Sequence, residues 1–315
     1  MSRLKARNRL VVALLAVLLM MLPSCVATDS KELSGPRVDE LVFSVVPIFG
    51  LDAEVVALRT RQIDMIPGVR TLYHAENLTA DPHFRIYRSP GSLRMTSLFF
   101  NCRRSPFDDV EFRRAMSYLV DREFIAKTMK EYAEPLNAFI PPASHGWLNQ
   151  NASANFDLEK AWRILDEAGY KINSKTDKRI DPKTGKPLRE LTLLTLPYWE
   201  APSQWVAGDA TRLYAKVFFI PVEHVIMTES TLLSNAMNNR DFDMLVYDVE
   251  LGHPPFGLYD ILHSSRDKQG TVAYSGIHDS DLDGLLERLW FGTDKSEIQR
   301  SVYEIQSRLT ILMPY

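Results

Sequence analysis

The sequence predicts an α/β fold in which helices cover a parallel or mixed sheet. Short apolar segments rich in β-branched and aromatic residues alternate with segments whose apolar residues recur every three or four positions. Hydrophobic residues make up 45% of the 315 residues, which is ordinary for a globular chain. Alternation of this kind implies crossover connections between strands that run in the same direction.

The first 25 residues have the pattern of an export signal. Four basic residues precede an uncharged segment at 10–22, which is shorter than the roughly 20 residues that span a bilayer. We therefore predict a cleaved signal peptide at 1–24. Leu22-Pro23-Ser24-Cys25 resembles the lipobox of bacterial lipoproteins, which implies a lipid on Cys25. The alternative is ordinary cleavage near Ala27, with Cys25 incidental.

Charge and cysteine content indicate which partners and which disulfide bonds to expect. The chain has 37 basic and 40 acidic residues and lacks a basic stripe, so we expect no nucleic-acid partner. It has two cysteines, and a lipid on Cys25 leaves only Cys102, which excludes an intrachain disulfide. We expect Cys102 to pack as a small apolar group.

Residues 38–104 form the first predicted α/β block. A helix is predicted at 52–61, and strands are predicted at 38–46, 63–66, 84–87 and 95–101.

Residues 105–315 alternate again. Helices are expected to begin at Asp108 or Asp109, at Asp121 and at Asp157, because aspartate is a favoured N-cap. A charged loop at 171–187 follows. Beyond it we predict strands at 191–196, 221–227 and 242–247, and helices at 203–217 and 231–238, before two closing helices.

Several segments resemble the bacterial extracellular solute-binding proteins of family 5. In that family a strand ending in FN and the pattern PF-D-VRQA lead into a helix, which is followed by DR and Ile. Here the matching segments are 100–115 (FNCRRSPFDDVEFRRA) and 121–125 (DREFI). Further similar segments follow in the family's order: 57–64, 140–142, 157–170, 241–244, 281–283 and 305–306. Together they cover about residues 37–315.

This resemblance implies a periplasmic-binding-protein-like (type II) fold with lobes built on mixed, helix-flanked sheets. Residues 25–37 are then a linker, 38–104 part of the first lobe and 105–315 the second lobe, with 99–101 near the hinge. Family members extend beyond both ends of this unit, so we expect a receptor truncated at both ends of the mature chain.

The implied function is capture of a peptide or other small solute between two lobes and delivery to an inner-membrane ABC permease. We expect a monomer anchored outside the cytoplasm, in the periplasm or at the cell surface, without a cofactor, a metal or catalytic activity. Nickel chelates and oligosaccharides are also ligands of this scaffold.

In peptide-binding members, an acidic residue shortly before a proline of the cleft loop pairs with the peptide's α-amino group. Aligning on Pro254 assigns this role to Glu250 and places Tyr247 at an aromatic position. Aligning on Pro255 moves the assignment, and Asp248 and Glu250 as solvated loop acids remain the alternative.

Aromatic residues after the strand at 191–196 are further candidates. Tyr198 and Trp199, with Trp205 nearby, are predicted either to wall a ligand pocket or to cover the top of the lobe. His253 is a candidate ligand contact, and a nickel or haem ligand held by His253 and His263 stays open.

Two other functions stay open as well. One is a receptor fragment without transport activity. The other is an extracytoplasmic hydrolase, although no G-x-S-x-G, H-E-x-x-H or phosphate loop is present. A hydrolase predicts a nucleophile–base pair around residues 247–253.

Overall fold

The computed structural model describes residues 38–44, 52–69, 71–87 and 91–315. The predicted signal peptide at 1–24, the linker at 25–37 and Cys25 lie outside these residues. The described residues fall in two units, 38–44 in the first and 52–315, with the gaps given above, in the second. In the first unit, 38–44 have no regular secondary structure, so the strand predicted at 38–46 is wrong over those residues. An apolar segment forms a strand only where a neighbouring strand satisfies its backbone groups, and the sequence of 38–46 does not specify one.

The second unit is built around a four-stranded mixed sheet with strand order β1-β6-β4-β5. β4 runs parallel to both β5 and β6, whereas β1 is antiparallel to β6. The carboxyl ends of β4, β5 and β6 therefore lie at the edge where β1 begins. The strands are β1 Arg94–Phe100, β2 Ile172–Asn173, β3 Lys178–Arg179, β4 Leu191–Thr195, β5 Val222–Ile226 and β6 Met244–Glu250.

Helices cover both faces of this sheet, as predicted. The described helices are α1 Ala53–Arg59, α2 Leu72–Ala80, α3 Val110–Tyr118, α4 Arg122–Thr128, α5 Leu158–Glu167, α6 Pro202–Val217, α7 Glu229–Leu233, α8 Gly257–Leu262, α9 Ser280–Phe291 and α10 Lys295–Leu312. Among the described helices, none has the length and apolar content that crossing a membrane requires.

Alternate residues of the strands pack in two separate hydrophobic cores, because successive side chains of a strand point to opposite faces of the sheet. Phe99 and Leu245 pack in the core that contains Leu286 and Ile305 of α9 and α10. Their neighbours in the strands, among them Phe100, pack in the core formed with α3 and α5. Cys102 packs against the first core, which confirms its predicted apolar role, and burial raises the pKa of its thiol to about 11.

Aspartate N-caps fix the starts of the predicted helices. The Asp109 carboxylate accepts a hydrogen bond from Glu111 N, Asp121 from Phe124 N, and Asp157 from Lys160 N. These bonds satisfy N–H groups that have no partner within the helix, and they confirm the starts at 109, 121 and 157.

Several local predictions differ from the structure. Residues 63–66 and 84–87 form no strand, and α2 and α8 were not predicted. The charged segment 171–187 contains the β2–β3 hairpin, and the helix predicted at 231–238 is α7 continued by a π-helical turn at Ser234–Asn239. Short apolar runs are ambiguous between strand and coil unless a neighbouring strand pairs with them.

The boundary between the two lobes, predicted between residues 104 and 105, stays a prediction. Within the described residues, β1, which precedes that boundary, is an edge strand of the main sheet. The last residues return to the same strand: Phe100 N donates to Pro314 O, and the Tyr315 ring lies 5.4 Å from the Phe99 ring.

Candidate functional site

Three parallel strands end and β1 begins at one edge of the sheet. We call this edge, defined by residues 94–97, 195–199, 226–229 and 247–250, the carboxyl edge. Ligands of open α/β sheets bind outside the carboxyl ends of the strands. The carboxyl edge is therefore the candidate binding site, and it contains four of the predicted contact residues: Tyr198, Trp199, Tyr247 and Glu250.

Asp248 on β6 is neutralised by β1. Thr96 Oγ1 donates to Asp248 Oδ1 at 2.7 Å, and Arg94 Nε lies 3.1 Å from Oδ2. Ser203 Oγ of α6 lies 3.3 Å from Thr96 Oγ1, so the contact extends to the start of that helix. The Asp248 carboxylate is thus already bound by partners within the chain.

Glu250 differs from Asp248, although both lie on the same face of β6. Its cross-strand neighbour is Arg94, but the Arg94 guanidinium pairs with Asp248 instead. Glu250 is exposed, and its side chain forms no hydrogen bond or ion pair with a residue that the structure describes. Its carboxylate is therefore available to an external cation.

Tyr247 lies on the opposite face of β6. Its hydroxyl donates to Glu229 Oε1 at 2.7 Å, and its ring lies 6.0 Å from the Tyr274 ring. Burial, and then the Glu229 carboxylate, raise the pKa of Tyr247 above its ordinary value. The phenol therefore stays protonated at neutral pH and acts as a hydrogen-bond donor to Glu229.

The aromatic pair after β4 faces solvent. Tyr198 is 48% exposed and Trp199 is 68% exposed, which leaves ring surface for a ligand. The Tyr198 ring lies 5.6 Å from Trp205, whose ring lies 5.9 Å from His224. His224 Nε2 is 2.7 Å from Thr195 Oγ1, and burial lowers the pKa of this histidine. A neutral histidine thus links the aromatic residues to the end of β4.

Gly208 allows α6 to approach β4 closely. A Cβ at this position would lie 2.6 Å from Thr195 Cγ2 and 2.8 Å from His224 Nε2. Since such distances are too short for side-chain carbons, only glycine fits here. The close packing fixes the start of α6, and with it Ser203, at the carboxyl edge.

His253 lies away from these residues. It lines a separate cavity of about 390 Å³, and its ring stands edge-on to Trp147 at 6.3 Å. His263 is buried, and its Nδ1 accepts a hydrogen bond from Ser265 N. The described part of the chain contains no group of three or more His, Cys, Asp or Glu placed to hold a metal ion.

The sequence did not identify Arg94, Thr96 or Glu229 as part of this edge. Thr96 and Asp248 are separated by 152 positions, and only the β1–β6 register brings them together. Tyr247 and Glu229 are 18 residues apart and belong to different elements. No local pattern marks these contacts.

Comparison with known proteins supports the predicted fold and family. Residues 32–269 match the model of the bacterial extracellular solute-binding proteins, family 5 Middle. The Dipeptide-binding protein of Escherichia coli is 31% identical over 146 residues, covering 45% of this chain and 26% of the relative. Heme-binding protein A of Haemophilus influenzae is 29% identical over 145 residues, covering 46% and 26%. The chain thus spans about a quarter of the length of these curated relatives.

A solved structure shows the same fold. The oligopeptide-binding protein AppA from Bacillus subtilis, in complex with a nonapeptide, has a TM-score of 0.70 and 22% identity. The match covers 84% of this chain and 51% of AppA. The predicted periplasmic-binding-protein-like (type II) fold is confirmed.

Proposed function

Because the chain belongs to the bacterial extracellular solute-binding proteins of family 5, we propose that it captures peptides as the receptor component of an ABC importer. The observation that carries this proposal is the exposed Glu250 carboxylate at the carboxyl edge, which has no partner among the described residues and lies beside an Asp248 that Arg94 already neutralises. A free carboxylate at a ligand edge suits the α-ammonium group of a peptide. The names of two compared proteins, one dipeptide-binding and one oligopeptide-binding, agree with this ligand class.

In the proposed complex, Glu250 pairs with the ammonium group while Tyr198 and Trp199 contact apolar or planar parts of the peptide. The ligand is enclosed when two lobes close about a hinge near 99–101, and it then passes to a permease of the inner membrane. The receptor acts as a monomer and performs no covalent chemistry.

Titration calorimetry on the detergent-solubilised full chain tests the proposed ligand class. With a pool of di- to pentapeptides we expect dissociation constants of about 1 μM, equivalent to about −8 kcal/mol. Peptides with an acetylated N-terminus should bind about tenfold more weakly or worse, because they lack the charge that Glu250 pairs with. Absence of binding at millimolar peptide would contradict the proposal.

We also propose that a lipid on Cys25 anchors the chain to a membrane outside the cytoplasm. In cells grown with a palmitate analogue, the chain should be labelled and should fractionate with membranes. Cys25→Ser should abolish the label, whereas Cys102→Ser, which removes the other cysteine, should leave it unchanged. Label retained in Cys25→Ser, or absent from the unaltered chain, would refute the anchor.

A further inference from the structure

The cavity that contains His253 is separate from the carboxyl edge. Three segments form it: residues 145–147, residues 253–254, and the turn and first residues of α10 at 293–299. Its volume of about 390 Å³ falls within the roughly 300–1,000 Å³ of small-molecule sites. None of its lining residues belongs to the carboxyl edge.

Nitrogen-bearing side chains line this cavity without an acidic counterpart. His145, His253 and Lys295 contribute to the lining, and no Asp or Glu does. Within the described chain, none of the three forms a side-chain hydrogen bond or ion pair. The nearby acid Asp294 accepts hydrogen bonds from Ser296 N and Glu297 N as the N-cap of α10. The cavity therefore offers unused donors to an anion.

Lys295 is the first residue of the 18-residue α10. Because the Asp294 carboxylate already accepts from N–H groups at this end of the helix, an anion in the cavity would be attracted by the Lys295 ammonium group rather than by the helix.

The remaining lining is mixed, with Thr293 and Gln299 as polar residues beside an apolar part. Trp147, Pro254 and Ile298 line the cavity together with the three nitrogen-bearing residues. A ligand that fits this lining carries a flat apolar body and one anionic group.

The cavity is also held in shape before any ligand binds. Gly146 O accepts hydrogen bonds from Gln299 Nε2 and from the Tyr303 hydroxyl, and Gln306 Nε2 donates to Trp147 O at 2.7 Å. These three side chains project from successive turns of α10 and fix the loop at 145–147. A preformed wall reduces the ordering that binding would otherwise require.

We propose that this cavity is a second binding site, specific for a small aromatic carboxylate. The carboxylate contacts Lys295 and the two histidines, and the ring packs against Trp147, Pro254 and Ile298. The site uses no residue of the carboxyl edge, so it stands whether or not a peptide binds there.

Equilibrium dialysis of the full chain in detergent with radiolabelled benzoate tests this site. We expect saturable binding of one benzoate per chain. Unlabelled benzoate should displace it, whereas benzamide and benzylamine, which have the same ring but no negative charge, should do so at least tenfold less well. Lys295→Met should weaken binding about tenfold, and His253→Gln should weaken it severalfold.

Lys268→Met provides the matched control, since it removes the same charge from an exposed lysine outside the cavity. It should leave benzoate binding unchanged. The proposal is overturned by an absence of saturable binding, by equal displacement with benzamide, or by equal affinities in Lys295→Met and Lys268→Met.

Discussion

Replacing Asp243 with asparagine should lower the free energy of unfolding by about 3 kcal/mol, the lower end of what breaking a buried ion pair costs. The Asp243 side chain is fully buried, and its carboxylate contacts two guanidinium groups. Arg189 donates to both oxygens at 2.6 and 2.5 Å, and Arg104 Nε lies 2.9 Å from Oδ1. Hydrogen bonding to Asp243 in turn raises the pKa of Arg189. Both arginines reach solvent, which limits the loss.

The loss should also disturb the sheet, because Asp243 joins three strands just before β6. Its carboxylate accepts from Thr192 N of β4 at 2.8 Å, and its backbone carbonyl accepts from Asn101 N, directly after β1. Asparagine keeps the volume of the side chain but places an uncharged amide between two cations. The two guanidinium groups then lose the negative charge that offsets their partial burial.

Urea unfolding of Asp243→Asn measures this effect, and Asp241→Asn is the matched control. Asp241 also contacts Arg104, at 3.3 Å, but its side chain is 78% exposed. Exposed pairs contribute little, so this control should cost less than about 0.5 kcal/mol. Equal losses in the two variants would mean that burial of Asp243 does not determine its contribution.

Asp243 illustrates which features can be predicted from the sequence and which cannot. Residues 241–244 were recognisable as a family segment, and aspartates 109, 121 and 157 were recognisable as helix caps, because both signals are local. The partners of Asp243 are not local: Arg189 lies 54 positions away, and no spacing rule links the two residues. Buried polar networks depend on sheet order, which one sequence does not reveal.

Strand periodicity could have given one more result. With Tyr247 and Glu250 three residues apart on a strand, a period of two places them on opposite faces. The structure shows this arrangement, with Tyr247 near Tyr274 and Glu250 opposite Arg94. The sequence does not show that Arg94 neutralises Asp248. Arg94 lies on β1, about 150 residues before Asp248, and only the pairing of β1 with β6 brings the two side chains together.

Replacing Glu250 with glutamine should weaken the affinity for peptides with a free N-terminus by about 10- to 100-fold. This range corresponds to about 1.5–3 kcal/mol, the contribution of a hydrogen bond to a charged group. The carboxylate has no partner among the described residues, so its full charge is available to the ligand. Affinity for N-acetylated peptides should change little, because these ligands lack the ammonium group.

Asp248→Asn is the comparison that decides between the two acids of β6. Its carboxylate is already bound by Thr96 and Arg94, so the substitution should change peptide affinity less than about threefold, although it removes a pair within the sheet. Calorimetric titration of both variants, each checked for unaltered circular dichroism, measures the contrast. A large loss in Asp248→Asn with none in Glu250→Gln would transfer the ammonium contact to Asp248. It would also mean that ligand binding releases the Arg94 pair, because Asp248 can hold an ammonium group only when the guanidinium has moved away.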